Sequence, residues 1–225
     1  MNFLAKLGKL VVMGSVAVVL GGVSLPSRAV PVLELFDGST NKIITDNGVG
    51  DLDLTTGSVV FAGAIGVWNI NVTTGITSPV TAGPYPHLIL SSTDHSTGAG
   101  TLRVRFYDDA NLAAVGTVIG ASVGGTLVNR AGSSIDWDVY VNGVSIMGNP
   151  ANLTTPGAFA VNTTSPTFTQ AAGYTLMNEF ILTHTGSGTS TVTIESQIPE
   201  PASLLLLGAG LIGLGFSRRR KGKTA

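Results

Sequence analysis

The sequence contains no cysteine, little charge and few aromatic side chains. Without cysteine the chain cannot form disulfide frameworks, cysteine metal clusters or thiol nucleophiles. Charged residues make up 11% of the 225 positions, which is under half of the roughly 25% found in an ordinary globular protein. The chain is rich instead in glycine, at 30 positions, and has a hydrophobic fraction of 44%. Its length allows one domain, or one domain with appendages.

The net charge of −1 conceals two basic ends around an acidic middle. Three of the twelve basic residues lie in the first 29 positions, and five lie in the last eight. Between Val30 and Ile198 four basic residues stand against twelve acidic ones, so this segment carries a net charge of −8. A nucleic-acid-binding domain needs a basic stripe. The middle segment therefore excludes nucleic acid as a partner.

The N-terminus has the three parts of a secretory signal peptide. Lys6 and Lys9 form a positive region, and residues 10–23 form an uncharged apolar run. Ser27 and Ala29 place small side chains at positions −3 and −1 of a cleavage site after Ala29. An uncleaved signal anchor is the alternative, but the run is shorter than the ~20 residues of a spanning helix. We expect a signal helix within residues 1–29 that signal peptidase removes.

The C-terminus combines a proline-flanked acid, an apolar run and a basic cluster. The prolines of Pro199-Glu200-Pro201 hold Glu200 in an extended segment that a protease could read. Residues 202–216 are apolar and have the minimal length of a transmembrane helix. The basic cluster would stop transfer and stay in the cytoplasm with the tail 222–225. This cluster consists of Arg218, Arg219, Arg220 and Lys221.

In this order the three parts resemble the PEP-CTERM sorting signal of Gram-negative bacteria, over residues 199–221. The resemblance implies recognition by the membrane protease exosortase, transient anchoring in the inner membrane and cleavage near the Pro-Glu-Pro motif. The protein would then reach the cell surface or the extracellular space. The same tail is also called an ice-binding-protein C-terminal domain, a label that describes sorting and not what the body binds.

Residues 30–198 form a polar segment with the pattern of short β-strands. Thr, Ser, Asn and Gly dominate it, and no window has a helical period with caps. Apolar and polar side chains alternate instead, notably in residues 68–73, 102–107 and 135–142. Trp68 and Trp137 fall on the apolar side of these runs, so both are expected in the core. The other predicted strands are 32–36, 42–45, 58–64, 88–91, 175–185 and 189–196.

Ten or so short strands with one polar face each predict an all-β fold. We expect an antiparallel two-sheet sandwich of jelly-roll-like form, flanked by the signal helix and the transmembrane helix. Glycine and Asx residues mark the expected turns, which include Thr74-Gly75 and a glycine-rich turn over Gly120–Gly124. A further turn is expected at Asp108-Asp109.

Two stretches of the body resemble segments of a large group of PEP-CTERM proteins with no characterised activity. The first runs from Asp46 to Gly75, and the second from Tyr174 to Gly186. The resemblance supports one continuous β domain over residues 30–198 and implies no reaction.

A glycine-rich loop offers the only metal candidates. Asp46, Asp51 and Asp53 lie in it with Asn47, and carboxylate and amide oxygens suit Ca²⁺. Their spacing does not match the twelve-residue EF-hand loop, and no Glu closes it. The alternative is a solvated loop in which these side chains form Asx-turns. No firm metal site and no other cofactor is predicted.

Two motifs raise a hydrolase hypothesis without supporting it. Gly120–Gly124 matches GxSxG around Ser122, but a nucleophile elbow needs a strand that turns sharply into a helix. Asp136 and Asp138 point to one side of a single strand. The rise per residue of a strand places them roughly 7 Å from each other. Glycosidases instead bring their two carboxylates from both sides of the scissile bond. His184 falls in a strand and is expected to be structural. We predict no catalytic residue.

The sequence therefore predicts a non-enzymatic exported protein of the cell surface or extracellular matrix, processed by signal peptidase and exosortase. The alternative is a carbohydrate-binding or adhesive β-sandwich, with or without a structural Ca²⁺. In that case an exopolysaccharide is the expected partner.

Overall fold

The computed structural model describes residues 30–77, 81, 87–110, 113–147 and 152–198. Within these ranges the chain is all β, with no helix and hence none long and apolar enough to cross a membrane. The predicted signal helix (residues 1–29) and transmembrane helix (residues 202–216) lie outside the described residues. So do the predicted processing and stop-transfer residues, namely Ser27, Ala29, Pro199, Glu200, Pro201, Arg218, Arg219, Arg220 and Lys221.

Fourteen strands cover most of the described residues. They are β1 (Val32–Phe36), β2 (Asn41–Thr45), β3 (Ser58–Ile65), β4 (Trp68–Ile76), β5 (His87–Ser96), β6 (Ala99–Ala110), β7 (Ala114–Thr117), β8 (Gly120–Leu127), β9 (Ser134–Val141), β10 (Val144–Ser145), β11 (Gly157–Thr164), β12 (Phe168–Gln170), β13 (Tyr174–Thr185) and β14 (Gly188–Gln197).

The strands form two six-stranded antiparallel sheets and one small pair. Sheet A has the order β10-β9-β13-β6-β1-β2, and sheet B has the order β11-β8-β14-β5-β4-β3. Strands β7 and β12 pair with each other. The chain changes sheets from β2 to β3, from β5 to β6, from β6 through β7 to β8, from β8 to β9, from β10 to β11, from β11 through β12 to β13 and from β13 to β14. The predicted all-β fold with antiparallel sheets, consistent with a β-sandwich, is confirmed.

Alternating side chains of both sheets build one core, because successive residues of a strand point to opposite faces. On β1 Leu33 and Leu35 are fully buried, as are Val104 and Phe106 on β6. The tryptophans predicted for the core are there: Trp68 is 1% exposed and Trp137 is 2% exposed.

Three predicted turns are wrong, and each lies inside a strand. Gly120–Gly124 belongs to β8, which is hydrogen-bonded on both sides, to β11 and to β14. Thr74 and Gly75 lie within β4, where glycine is required because a Cβ at Gly75 would lie 2.1 Å from Phe106 Cδ2. Asp108-Asp109 lies within β6. Glycine and aspartate are poor strand formers, but pairing and packing decide the conformation at these positions.

Candidate functional site

The three predicted Ca²⁺ ligands serve the backbone of their own loop, between β2 and β3. Asp46 Oδ2 accepts a hydrogen bond from the Gly57 N–H at 2.8 Å. Asp51 accepts from three backbone N–H groups, those of Asn47, Asp53 and Val60. Asp53 Oδ1 accepts from the Thr55 N–H, and hydroxyl and backbone donors lower the pKa of Asp53. In the described part of the chain no three His, Cys, Asp or Glu side chains are placed to hold a metal ion.

Ser122, the centre of the GxSxG match, lies on the outer face of sheet B. It is opposite Glu195 of β14, and Glu195 Oε1 lies 2.7 Å from Nε2 of His87 on β5. The carboxylate therefore stands between serine and histidine, whereas a catalytic triad needs the histidine in the middle. Ser122, Glu195, Asn162 and Gln197 line an open groove of about 310 Å³.

His184 lies inside the sandwich, 1% exposed. The Ser96 hydroxyl donates to the Gly186 carbonyl, so it can only accept from His184 Nδ1–H, at 2.7 Å. The Ser190 hydroxyl then donates to His184 Nε2, also at 2.7 Å, while accepting from the Val128 N–H. These bonds fix a neutral imidazole protonated on Nδ1. Burial lowers the pKa of His184 from 6.5 to about 4. The side chain joins the two sheets.

The outer face of sheet A carries the molecule's densest array of charged and aromatic side chains among the described residues. We call it face A and define it by three rows that run across β1, β6, β13 and β9. Row 1 is Phe36, Arg103, Ile181 and Asp136; row 2 is Glu34, Arg105, Glu179 and Asp138; row 3 is Val32, Tyr107, Met177 and Tyr140.

Three residues of row 2, Glu34, Arg105 and Glu179, form a network of one hydrogen bond and two ion pairs. Arg105 Nε donates to Glu179 Oε2, and Arg105 Nη1 lies 3.8 Å from Glu34 Oε2. The Tyr140 hydroxyl donates to Glu179 Oε1 at 3.0 Å, which tilts the Tyr140 ring from row 3 towards row 2. Glu179 is only 5% exposed although it points away from the core. Burial and the neighbouring Glu179 carboxylate raise the pKa of Tyr140 to about 12. The network holds the centre of face A rigid.

Row 1 contrasts with row 2 because its two charges have no ion-pair partner among the described residues. The Arg103 guanidinium lies 5.0 Å from the centre of the Phe36 ring, and its Nε is buried without a hydrogen-bond acceptor. Asp136 accepts no hydrogen bond within the described ranges, and burial raises its pKa. Ile181 lies between the two residues in the register of the sheet.

Six of the twelve residues of face A lie in strands whose outward side chains are predictable from the sequence, but their common face is not. The alternation in residues 102–107 and 135–142 placed Arg103, Arg105 and Tyr107 on one outer face, and Asp136, Asp138 and Tyr140 on another. No local pattern in residues 174–185 indicates that β13 pairs with both β6 and β9. That pairing brings Glu179 between them and creates the network.

A family described as "PEP-CTERM protein-sorting motif" matches residues 197–221. The chain carries a PEP-CTERM protein-sorting motif. This confirms the resemblance of the tail and implies an exported protein that exosortase sorts and that is anchored in the membrane before processing. The similarity of the body to a particular PEP-CTERM group stays a prediction. No curated protein matches the chain.

Two solved structures are similar to the body at low identity. One is a family 35 carbohydrate-binding module from Clostridium thermocellum, 7% identical, covering 62% of this chain and 96% of that one with a TM-score of 0.29. The other is a carbohydrate-binding module, TmCBM27, described for its specific recognition of mannan. It is 11% identical and covers 60% of this chain and 89% of that one with a TM-score of 0.31. At these TM-scores the similarities carry no argument about function.

Proposed function

We propose that this chain is a non-enzymatic protein of the cell surface or extracellular matrix, delivered there through its PEP-CTERM motif. The match to residues 197–221 carries the proposal. Exosortase cleaves near Pro199-Glu200-Pro201, after the apolar segment has held the chain in the inner membrane. Signal peptidase acts earlier, after Ala29.

The surface of the body suits a hydrated layer. Hydroxyl pairs cover the outer face of sheet B, for example Ser91 with Thr193 at 2.9 Å and Thr126 with Thr191 at 2.9 Å. Net negative charge on residues 30–198 keeps copies of the protein apart. The alternation of consecutive strands between the sheets also favours the jelly-roll-like form of the sandwich.

The sorting step is tested by replacing the acid of the motif, Glu200→Ala, and by separating membrane from released protein. We expect the variant to stay in the membrane fraction at its uncleaved mass, while the wild type is released. Lys223→Ala, beyond the matched residues, is the control and is expected to be released normally. Equal release of the Glu200→Ala variant would overturn the processing model.

A second candidate function is carbohydrate binding, and face A is the observation that favours it. Tyr107 and Tyr140 stand half-buried on this outer face beside a rigid network of arginine and glutamate. Aromatic rings offer a flat apolar surface with a polar edge, and the charged groups offer strong hydrogen bonds. A glycan array probed with the protein tests this candidate, and reproducible binding to a sugar class is the expected result.

A further inference from the structure

Row 1 of face A holds two opposite charges, neither of which forms an ion pair with a described residue. Arg103 on β6 and Asp136 on β9 are separated by β13, so about two strand spacings, roughly 10 Å, lie between their backbones. The Arg103 guanidinium lies over Phe36 of β1, on the side away from Asp136. A partly buried charge without a partner is costly. The fold maintains two of them on either side of an apolar floor, Ile181.

We propose that face A is the binding site of an uncharged polysaccharide, whose hydroxyl groups accept from Arg103 and donate to Asp136 while a sugar ring lies over Ile181. This rests on the second candidate function above and names its site and ligand class. Arginine only donates hydrogen bonds and an ionised carboxylate only accepts them, whereas a sugar hydroxyl does both. A polyol is therefore the ligand that satisfies both side chains at once.

The two tyrosines extend the site along row 3. Tyr107 and Tyr140 flank Met177 in the register of the sheet, which gives a strip of three polarisable side chains parallel to row 1. Burial and the neighbouring Glu34 carboxylate raise the pKa of Tyr107. The Tyr140 ring is positioned before any ligand arrives, because its hydroxyl donates to Glu179 Oε1, so its ordering on binding costs little conformational entropy.

The charge of face A selects against anionic ligands. Four carboxylates stand against two guanidinium groups in its three rows. An anionic polysaccharide or a nucleic acid would be repelled. A protein partner is disfavoured because interface cores are depleted in charged residues, whereas row 2 places a charged network at the centre of the face.

The test measures binding of the full-length protein in detergent to xylan, galactan and laminarin by affinity electrophoresis, with alginate and chitosan as charged probes. We expect the wild type to bind at least one uncharged polymer and neither charged one more tightly. Asp136→Ala removes a side chain that makes no hydrogen bond to the described residues, so the fold is retained. We expect it to weaken binding about tenfold or more, as for loss of a charged hydrogen bond.

Two further variants make the result specific. Tyr107→Leu removes a ring whose hydroxyl makes no hydrogen bond among the described residues, and we expect it to weaken the same interaction. Gly120→Phe fills the groove on sheet B, where a Cβ meets only the Gln197 carbonyl at 3.9 Å, and we expect it to leave binding unchanged. Melting curves establish that each variant is folded.

The outcomes separate the site from the function. Unchanged affinity in Asp136→Ala and Tyr107→Leu, with loss in Gly120→Phe, would overturn face A while carbohydrate binding stands. No binding of the wild type to any uncharged polymer would overturn both the site and the second candidate function. Tighter binding to alginate or chitosan would overturn the ligand class.

Discussion

The carboxyl group of Asp94 lies inside the sandwich, on the inward face of β5 with no exposed surface. Its Oδ1 accepts a hydrogen bond of 2.7 Å from the Ser92 hydroxyl, which lies 2.7 Å from the Thr73 hydroxyl on β4. Its Oδ2 has no hydrogen-bond partner among the described residues. Burial disfavours the charged form and raises the pKa of Asp94 from 3.8 to about 7.

This raised pKa makes the protein less stable as the pH rises. Between pH 3.8 and about 7 the folded chain keeps the Asp94 proton while the unfolded chain releases it. The contribution of Asp94 to the free energy of unfolding therefore falls with increasing pH, by ~1.4 kcal/mol per unit. Over that window of about three units the loss is on the order of 4 kcal/mol. Below pH 3.8 the stabilising contribution of protonated Asp94 is fully present, and above a pH of about 7 no further loss occurs.

Asp94→Asn tests this directly, because the amide can still accept from Ser92 and does not ionise. Unfolding by urea is followed from pH 4 to pH 8 by fluorescence of the buried Trp68 and Trp137. We expect the difference in stability between variant and wild type to shift in favour of the variant by about 4 kcal/mol across this range. Asp37→Asn is the control: backbone N–H donors lower the pKa of Asp37 below 3.8, so its contribution to stability changes only below this range, and we expect no drift between variant and wild type from pH 4 to pH 8. Parallel pH profiles of wild type and Asp94→Asn would refute the reasoning.

Two further predictions concern the core. Gly75→Ala places a Cβ 2.1 Å from Phe106 and is expected to lower the free energy of unfolding by about 1–3 kcal/mol. The Cβ of Gly120→Ala makes only an ordinary contact, 3.9 Å from the Gln197 carbonyl oxygen, and this variant should be nearly neutral. Equal melting temperatures for the two variants would contradict this. His184 should remain a neutral Nδ1–H imidazole at pH 5.5, above its pKa of about 4, in long-range proton–nitrogen NMR spectra. Imidazolium shifts at that pH would show that the Ser96 and Ser190 bonds are assigned wrongly.

Sequence patterns predicted the strands that have one apolar and one polar face. The strands β1, β6, β9 and β14 are predictable from the sequence because apolar and polar side chains alternate along them. Strand β8 was missed because Gly120, Gly124 and Gly125 have low strand propensity. Its conformation is imposed from outside: a Cβ at Gly125 would lie 2.0 Å from the Thr191 carbonyl oxygen. Only glycine lets β14 approach so closely.

The candidate site was predictable only strand by strand. The outward direction of Arg103 and Asp136 follows from a two-residue period, which is a local property. Their common face depends on β13, which follows β9 by more than thirty residues and inserts between β6 and β9. No local pattern encodes that order. The C-terminal tail was predictable from the sequence because its sorting motif is short and contiguous and does not depend on strand pairing.

The central claim, that the motif at residues 197–221 directs sorting and processing, is tested most directly by the intact mass of the protein released from wild-type cells. The account predicts a C-terminus at or near Pro199-Glu200-Pro201, with the apolar segment and the basic cluster removed. A released protein that retains residues through Ala225 would contradict it.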